Sequence, residues 1–184
     1  MPSTPTRKVA LIPLDATDST ITRFDEPHFV AFHSSTSRGE APLVLFMAGT
    51  GGKPREMAFF AQLLRAGRRI ISISYNTKEA IPQVCPRHPD AECAAKVRRK
   101  RIYGENTIDV IDNAPNEAIV PRFIKRLASL DRTYHTKHWR RYLNHGAIDW
   151  SRVVVTALAG CRHCCVDCES AHGTAYSTVF KSLG

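Results

Sequence analysis

Four cysteines crowd eight positions near the end of the chain: Cys161, Cys164, Cys165 and Cys168, with His163 and His172 close by. Thiolate and imidazole are the strong ligands of zinc, and Cys161-x-x-Cys164 and Cys165-x-x-Cys168 are two knuckle-like pairs. Structural zinc sites separate such pairs by a longer loop so that four sulfurs can close a tetrahedron. Adjacent Cys164 and Cys165 leave no such slack. The same spacing suits redox Cys-x-x-Cys chemistry, but that requires a thiolate at a helix N-terminus, and nothing after Cys161 has helical periodicity. A second pair, Cys85 and Cys93, brackets the proline-bearing stretch 86–92 and is close enough in sequence for either a loop-stapling disulfide or two reduced thiols.

A third chemistry-bearing stretch is Gly49-Thr50-Gly51-Gly52, between the apolar run Leu43–Met47 and apolar residues at helical spacing. Glycine lets the backbone turn sharply and approach a ligand closely. At the start of a helix, amides and dipole together favour an anion, which suits either a phosphate or the oxyanion of an acyl-transfer intermediate. The phosphate loop Gly-x-x-x-x-Gly-Lys-Ser/Thr is not matched, because Gly51-Gly52-Lys53-Pro54 lacks the spacing and the hydroxyl. The dinucleotide fingerprint Gly-x-Gly-x-x-Gly fails at its last glycine, where Pro54 stands. The oxyanion role is the one left standing.

The elements that would position these residues read as alternating strands and helices. Phe29–Phe32 and the continuous apolar run Leu43–Met47 predict strands, the second covered on both faces. From Pro54 onward Met57, Phe60, Ala61, Leu63 and Leu64 predict a helix closed by Gly67, and Arg69–Tyr75 predicts the next strand, completing a βαβ unit. A basic helix is expected near Ala94–Tyr103. A long amphipathic helix opens at Pro115-Asn116-Glu117, its apolar face Ile119, Val120, Phe123, Ile124, Leu127 and Leu130, with Arg122, Lys125, Arg126 and Arg132 pointing away. Trp139, Tyr142, Leu143 and Trp150 are expected to pack the connection into a last strand, Val153–Leu158.

Composition sets the broad class. At 184 residues and 43% hydrophobic content the chain makes one globular domain with a real core. No run approaches the roughly 18 apolar residues of a membrane span, and Val9–Ile12 is too short for a signal-peptide core, so a soluble cytoplasmic protein without membrane partners is expected. The net charge of +9 concentrates at Lys96-Val97-Arg98-Arg99-Lys100-Arg101, with no base-reading or stacking motif alongside, so nucleic acid is not expected as a partner.

In order and spacing, Leu43–Pro54, Ile71–Asn76, Val84–Arg87, Lys100–Gly104 and Trp150–Thr156 resemble a family of α/β-hydrolase-fold proteins related to serine esterases. The resemblance covers roughly residues 25 to 158. It implies an α/β parallel-sheet sandwich of hydrolase type, incomplete at the C-terminus, with residues 1–160 as the hydrolase part and 161–184 as a Cys-rich tail outside the native core. It implies further that Gly49, Thr50, Gly51 and Gly52 form the oxyanion loop, that the substrate is a small-molecule ester, and that no cofactor is used. The elbow Gly-x-Ser-x-Gly should fall at Ala157-Leu158-Ala159-Gly160-Cys161, where Ala159 occupies the serine's place. The family's acid and histidine follow its serine in chain order and would lie beyond residue 184, so an inactive chain is expected. The family also continues from its elbow into a small-residue helix and an apolar strand. Codons for Cys161 to Leu183 can be chosen so that a reading one base along spells such a continuation. A frame shift in this region is therefore an expectation that the coding DNA decides, against a non-enzymatic zinc-binding or interaction module that uses Cys161–Cys168.

Overall fold

The computed structural model describes residues 7–12 by their backbone, and 20, 21, 23–33 and 41–157 in full. The Cys161–Cys168 cluster, Ala159 and the expected 161–184 tail lie outside the described residues. Among the described residues, seven strands and four α-helices follow in order: β1 (Arg7–Ile12), β2 (His28–His33), β3 (Leu43–Met47), α1 (Phe60–Arg65), β4 (Arg69–Ile73), α2 (Ile81–Val84), α3 (Cys93–Tyr103), α4 (Ile119–Thr133), β5 (Leu143–Asn144), β6 (Ala147–Ile148) and β7 (Val153–Ala157).

The main sheet has the order β1-β2-β4-β3-β7, with β5 and β6 forming a separate two-stranded ribbon. It is mixed, not purely parallel: β1 pairs antiparallel with β2 and β2 antiparallel with β4, whereas β3 runs parallel to both β4 and β7. The register Leu43–Met47 against Arg69–Ile73 on one side and Val153–Ala157 on the other brings all three parallel strands to an end at the same level.

Side chains of a strand alternate between faces, and here both faces are covered. Leu43, Leu45 and Met47 join Ile71, Ile73, Val153 and Val155 on the side of α4, packing against Phe123, Leu127, Leu130, Trp139 and Tyr142. Val44, Phe46 and Ile70 face the other way, against Phe60 and Leu64 of α1. The rings of Phe46 and Phe60 meet edge to face at 5.3 Å, the arrangement that suits the ring quadrupoles. A third apolar cluster, Ile81, Cys93, Val97, Ile108 and Ile111, joins α2 to α3.

Three sequence expectations are corrected. The strand β1 was not foreseen in Arg7–Ile12, whose pairing with β2 carries it into the sheet. The first helix begins at Phe60, not near Pro54. Lys53, Arg55, Glu56 and Ala58 are exposed, so between the turn and Phe59 only Met57 has an apolar side chain to pack, and no second helical face exists to bury. Finally, Arg122 and Arg126 do not point away from the core: they are 1% and 0% exposed. Arg122 reaches inward because carbonyls wait for it there. Its Nη1 donates to the carbonyls of Phe24 (2.6 Å) and Ser74 (3.3 Å), and its Nη2 to that of Arg23 (2.8 Å). Burial pushes the Arg126 guanidinium down to about 10, so it remains charged at neutral pH.

Candidate functional site

The Gly49–Gly52 turn leaves the end of β3, the strand flanked on both sides by parallel neighbours. Ala48 and Gly49 are buried, whereas Thr50 and Gly51 are exposed, so the turn rises from the sheet into solvent. Gly51 has φ +71°, a conformation that residues with a Cβ rarely adopt. Gly52 is constrained differently, since a Cβ there would lie 2.9 Å from both the Ala48 Cβ and the Gly49 carbonyl.

The segment following β4 holds this turn in place. The Gly51 amide donates to the Thr77 carbonyl at 2.8 Å, and the Thr77 hydroxyl donates to the Gly52 carbonyl at 3.0 Å. The buried Tyr75 hydroxyl donates to the Ala48 carbonyl. Asn76, fully buried, turns the chain beyond the strand: its Oδ1 accepts from the Lys78 amide at 3.0 Å and its Nδ2 donates to the Asp112 carbonyl at 3.1 Å. Lys53 caps the far side of the turn with a 3.0 Å ion pair to Glu26. Burial raises the Glu26 carboxyl, but hydrogen bonds from Lys53, its own backbone and Ser74 outweigh it and hold the group below the ordinary range.

This geometry narrows the anion-holding role. Gly52 also closes the turn on itself, donating to the Gly49 carbonyl at 2.8 Å. With the Gly51 and Gly52 amides engaged internally, neither is open to an anion in this conformation. The expected helix dipole is not at the turn either: α1 starts eight residues beyond Gly52 and has only six residues. Any charge stabilisation here comes from individual amides, not from a helix.

Beside β4, His28 opens β2 with a fully buried ring. Its Nδ1 accepts from the Ser74 amide at 2.8 Å, which fixes the neutral tautomer with the proton on Nε2. Burial first, then the charges of Arg126 and Arg122, push its pKa well below the ordinary histidine value. Sequence reading gave no sign of this residue, because only the antiparallel pairing of β2 with β4 places it against Ser74.

The other sequence candidates sort as follows. Cys85 and Cys93 are joined in a disulfide with their Cα atoms 5.7 Å apart. The basic run on α3 is distributed among structural partners. Lys96 pairs with Asp90 at 2.7 Å, Lys100 donates to the Ile108 carbonyl at 2.6 Å, Arg101 donates to the Glu79 carbonyl at 2.6 Å, and Arg99 lies 3.7 Å from Glu105. Such a helix presents no continuous cationic stripe to a phosphate backbone. Among the described residues, no group of three or more His, Cys, Asp and Glu side chains is placed to hold a metal ion, and no helix is long and apolar enough to cross a membrane. Compared with known proteins, the chain matches no family model, no curated protein and no solved structure.

Proposed function

We propose that this chain carries the scaffold of an acyl-ester hydrolase of the α/β-hydrolase kind, with a small-molecule ester as the substrate for which the scaffold is shaped. The observation that carries this reading is the position of the Gly turn. β3 lies between β4 and β7, and the two crossovers that meet around it use opposite faces of the sheet, β3-α1-β4 on one and the β4-to-β7 connection with α4 on the other. In open α/β sheets, ligands bind outside the carboxyl ends of the strands at such a reversal of strand order.

Acyl transfer at this place needs an attacking hydroxyl and donors aimed at the developing oxyanion. The Gly49–Gly52 turn lies where those donors belong, and its Gly51 and Gly52 amides would have to leave their present partners to serve. The attacking group belongs just past β7, where the chain has Ala159, a side chain with no atom to attack a carbonyl. Loss of a triad serine lowers turnover by about a millionfold and leaves the residual catalysis of binding and oxyanion stabilisation. The chain is therefore essentially inactive. The chemistry calls for no resident cofactor.

Two measurements on the purified chain test this. Mixing with an activated nitrophenyl ester and labelling with a fluorophosphonate should give no burst of product and no covalent adduct; a stoichiometric burst with adduct overturns the inactivity. Titration with methylphosphonate, followed by amide resonances, should shift the Gly49–Gly52 turn first. Shifts elsewhere, or none, remove the support for the scaffold reading.

The cytoplasmic location expected from the sequence bears on the Cys85–Cys93 bond, because cytosolic thiol pools keep such pairs reduced. Alkylating the chain in its native cells before lysis, then weighing it, distinguishes the two: two added labels on Cys85 and Cys93 support the cytoplasm, and none supports an oxidising compartment.

A further inference from the structure

We propose that the Cys85–Cys93 disulfide is a redox-responsive fastening that sets the conformation of the Gly49–Gly52 turn. The turn is clamped by Thr77, through its carbonyl on Gly51 and its hydroxyl on Gly52. Thr77 leads within four residues into α2, and α2 ends at Cys85. The anchors of this 78–85 segment include the Lys78 ammonium over the Phe24 ring, the Arg101 bond to the Glu79 carbonyl, the burial of Ile81 in the α2–α3 cluster, and the disulfide. Only the last is covalent, and it holds the C-terminal end of the segment, where Val84 and Cys85 also pack against that cluster. Opening it leaves a four-residue helix, too short to persist on its own, resting on non-covalent packing, and loosens the strap from which Thr77 holds the turn.

The two sulfurs are not equivalent. Cys93 is 2% exposed and Cys85 is half-buried, so an incoming thiolate meets Cys85. With a dithiol reductant, the attacking thiolate forms a mixed disulfide at Cys85 as the Cys85–Cys93 bond breaks, and Cys93 departs as a thiolate and takes up a proton. It departs from the first position of α3, an end that favours negative charge. The reductant's second thiol then releases Cys85 as a thiol. The chain gains two electrons and two protons, and the reductant ends as its own disulfide.

The functional consequence rests on the reading of the turn as the oxyanion loop, but the device is tested without ester chemistry. Site-resolved hydrogen exchange on the full chain is compared with and without dithiothreitol, alongside a Cys85→Ser, Cys93→Ser variant without reductant. The four tail cysteines are replaced by serine in every sample so that they cannot exchange with the pair. The Gly51 amide, bonded to Thr77, should exchange about tenfold faster in the reduced chain and in the variant, together with amides of 78–85. If the variant does not fold, the reduced chain alone decides. Faster exchange confined to 82–93, with Gly51 unchanged, overturns the proposal, whatever the methylphosphonate titration shows.

Discussion

Thr77 holds the Gly turn by two bonds of opposite sense, accepting from the Gly51 amide at 2.8 Å and donating to the Gly52 carbonyl at 3.0 Å. The first uses only backbone and survives any substitution that leaves the chain path intact. The second depends on the hydroxyl. Thr77→Val should therefore cost about 1 kcal/mol in urea unfolding, the ordinary net value of one hydrogen bond, while Thr77→Ser keeps most of it. Equal losses in the two variants would show that the methyl group, not the hydroxyl, matters.

Two glycines with similar backbones should respond very differently to alanine. Gly67 and Gly104 both have positive φ, +73° and +83°. At Gly67 an added Cβ meets nothing within 4 Å, so Gly67→Ala costs only the backbone term, about 1 kcal/mol. At Gly104 the Cβ would sit 2.7 Å from both the Pro115 Cα and its carbonyl oxygen, and backbone cannot swing aside. Gly104→Ala should lose about 3 kcal/mol or more, measured as a fall in denaturation midpoint several times that of Gly67→Ala.

Arg122 is the clasp between residues 23–24, the end of β4 and α4. Replacing it by methionine keeps most of the stem but strips hydrogen bonds from three carbonyls. Arg122→Met should destabilise by roughly 2–4 kcal/mol. Lys125, only half-buried one turn face away, serves as the comparison: Lys125→Met should change stability by less than about 1 kcal/mol.

The buried neutral His28 makes stability depend on pH. Its folded pKa is depressed, so below about 6.5 the unfolded chain binds a proton that the folded chain does not. This contribution is fully present above the unfolded pKa and declines as pH falls below it, at up to about 1.4 kcal/mol per pH unit. Urea unfolding at pH 7 and pH 5 should show the drop, and His28→Gln should flatten it, since the glutamine oxygen can still accept from Ser74 but does not titrate. An unchanged slope in the variant would place the pH dependence elsewhere.

The disulfide closes a loop of eight residues' separation, which in the chain-entropy view stabilises the folded state by roughly 2–3 kcal/mol. Reduction with intact tail serine replacements should lower the urea midpoint accordingly. A loss near zero would mean that α2 and α3 hold together without it.

Much of the framework was written plainly in the sequence, and the exceptions share a cause. Leu43–Met47 is legible because five consecutive apolar residues need cover on both faces, and α1 and α4 supply it. The basic helix expected near Ala94–Tyr103 is α3, Cys93–Tyr103, and Gly104 ends it in the left-handed region. Arg122 and Arg126 were misjudged because a helical wheel sorts residues by polarity alone, whereas the carbonyls of Arg23, Phe24 and Ser74 that receive Arg122 come from segments up to 99 residues away. The site was legible only in outline. The Gly run advertised a turn, but nothing local revealed that Thr77 takes up two of its four residues, or that the helix expected to support an anion starts too late.

Because β3 is laced to a parallel neighbour along each edge, the floor beneath the Gly turn has nowhere to move. Among the described residues, the peptide running from Asn76 toward Cys85 is therefore a route by which freedom can enter the loop. Improving the fit of a ligand here would mean redesigning that peptide wall and leaving the base alone.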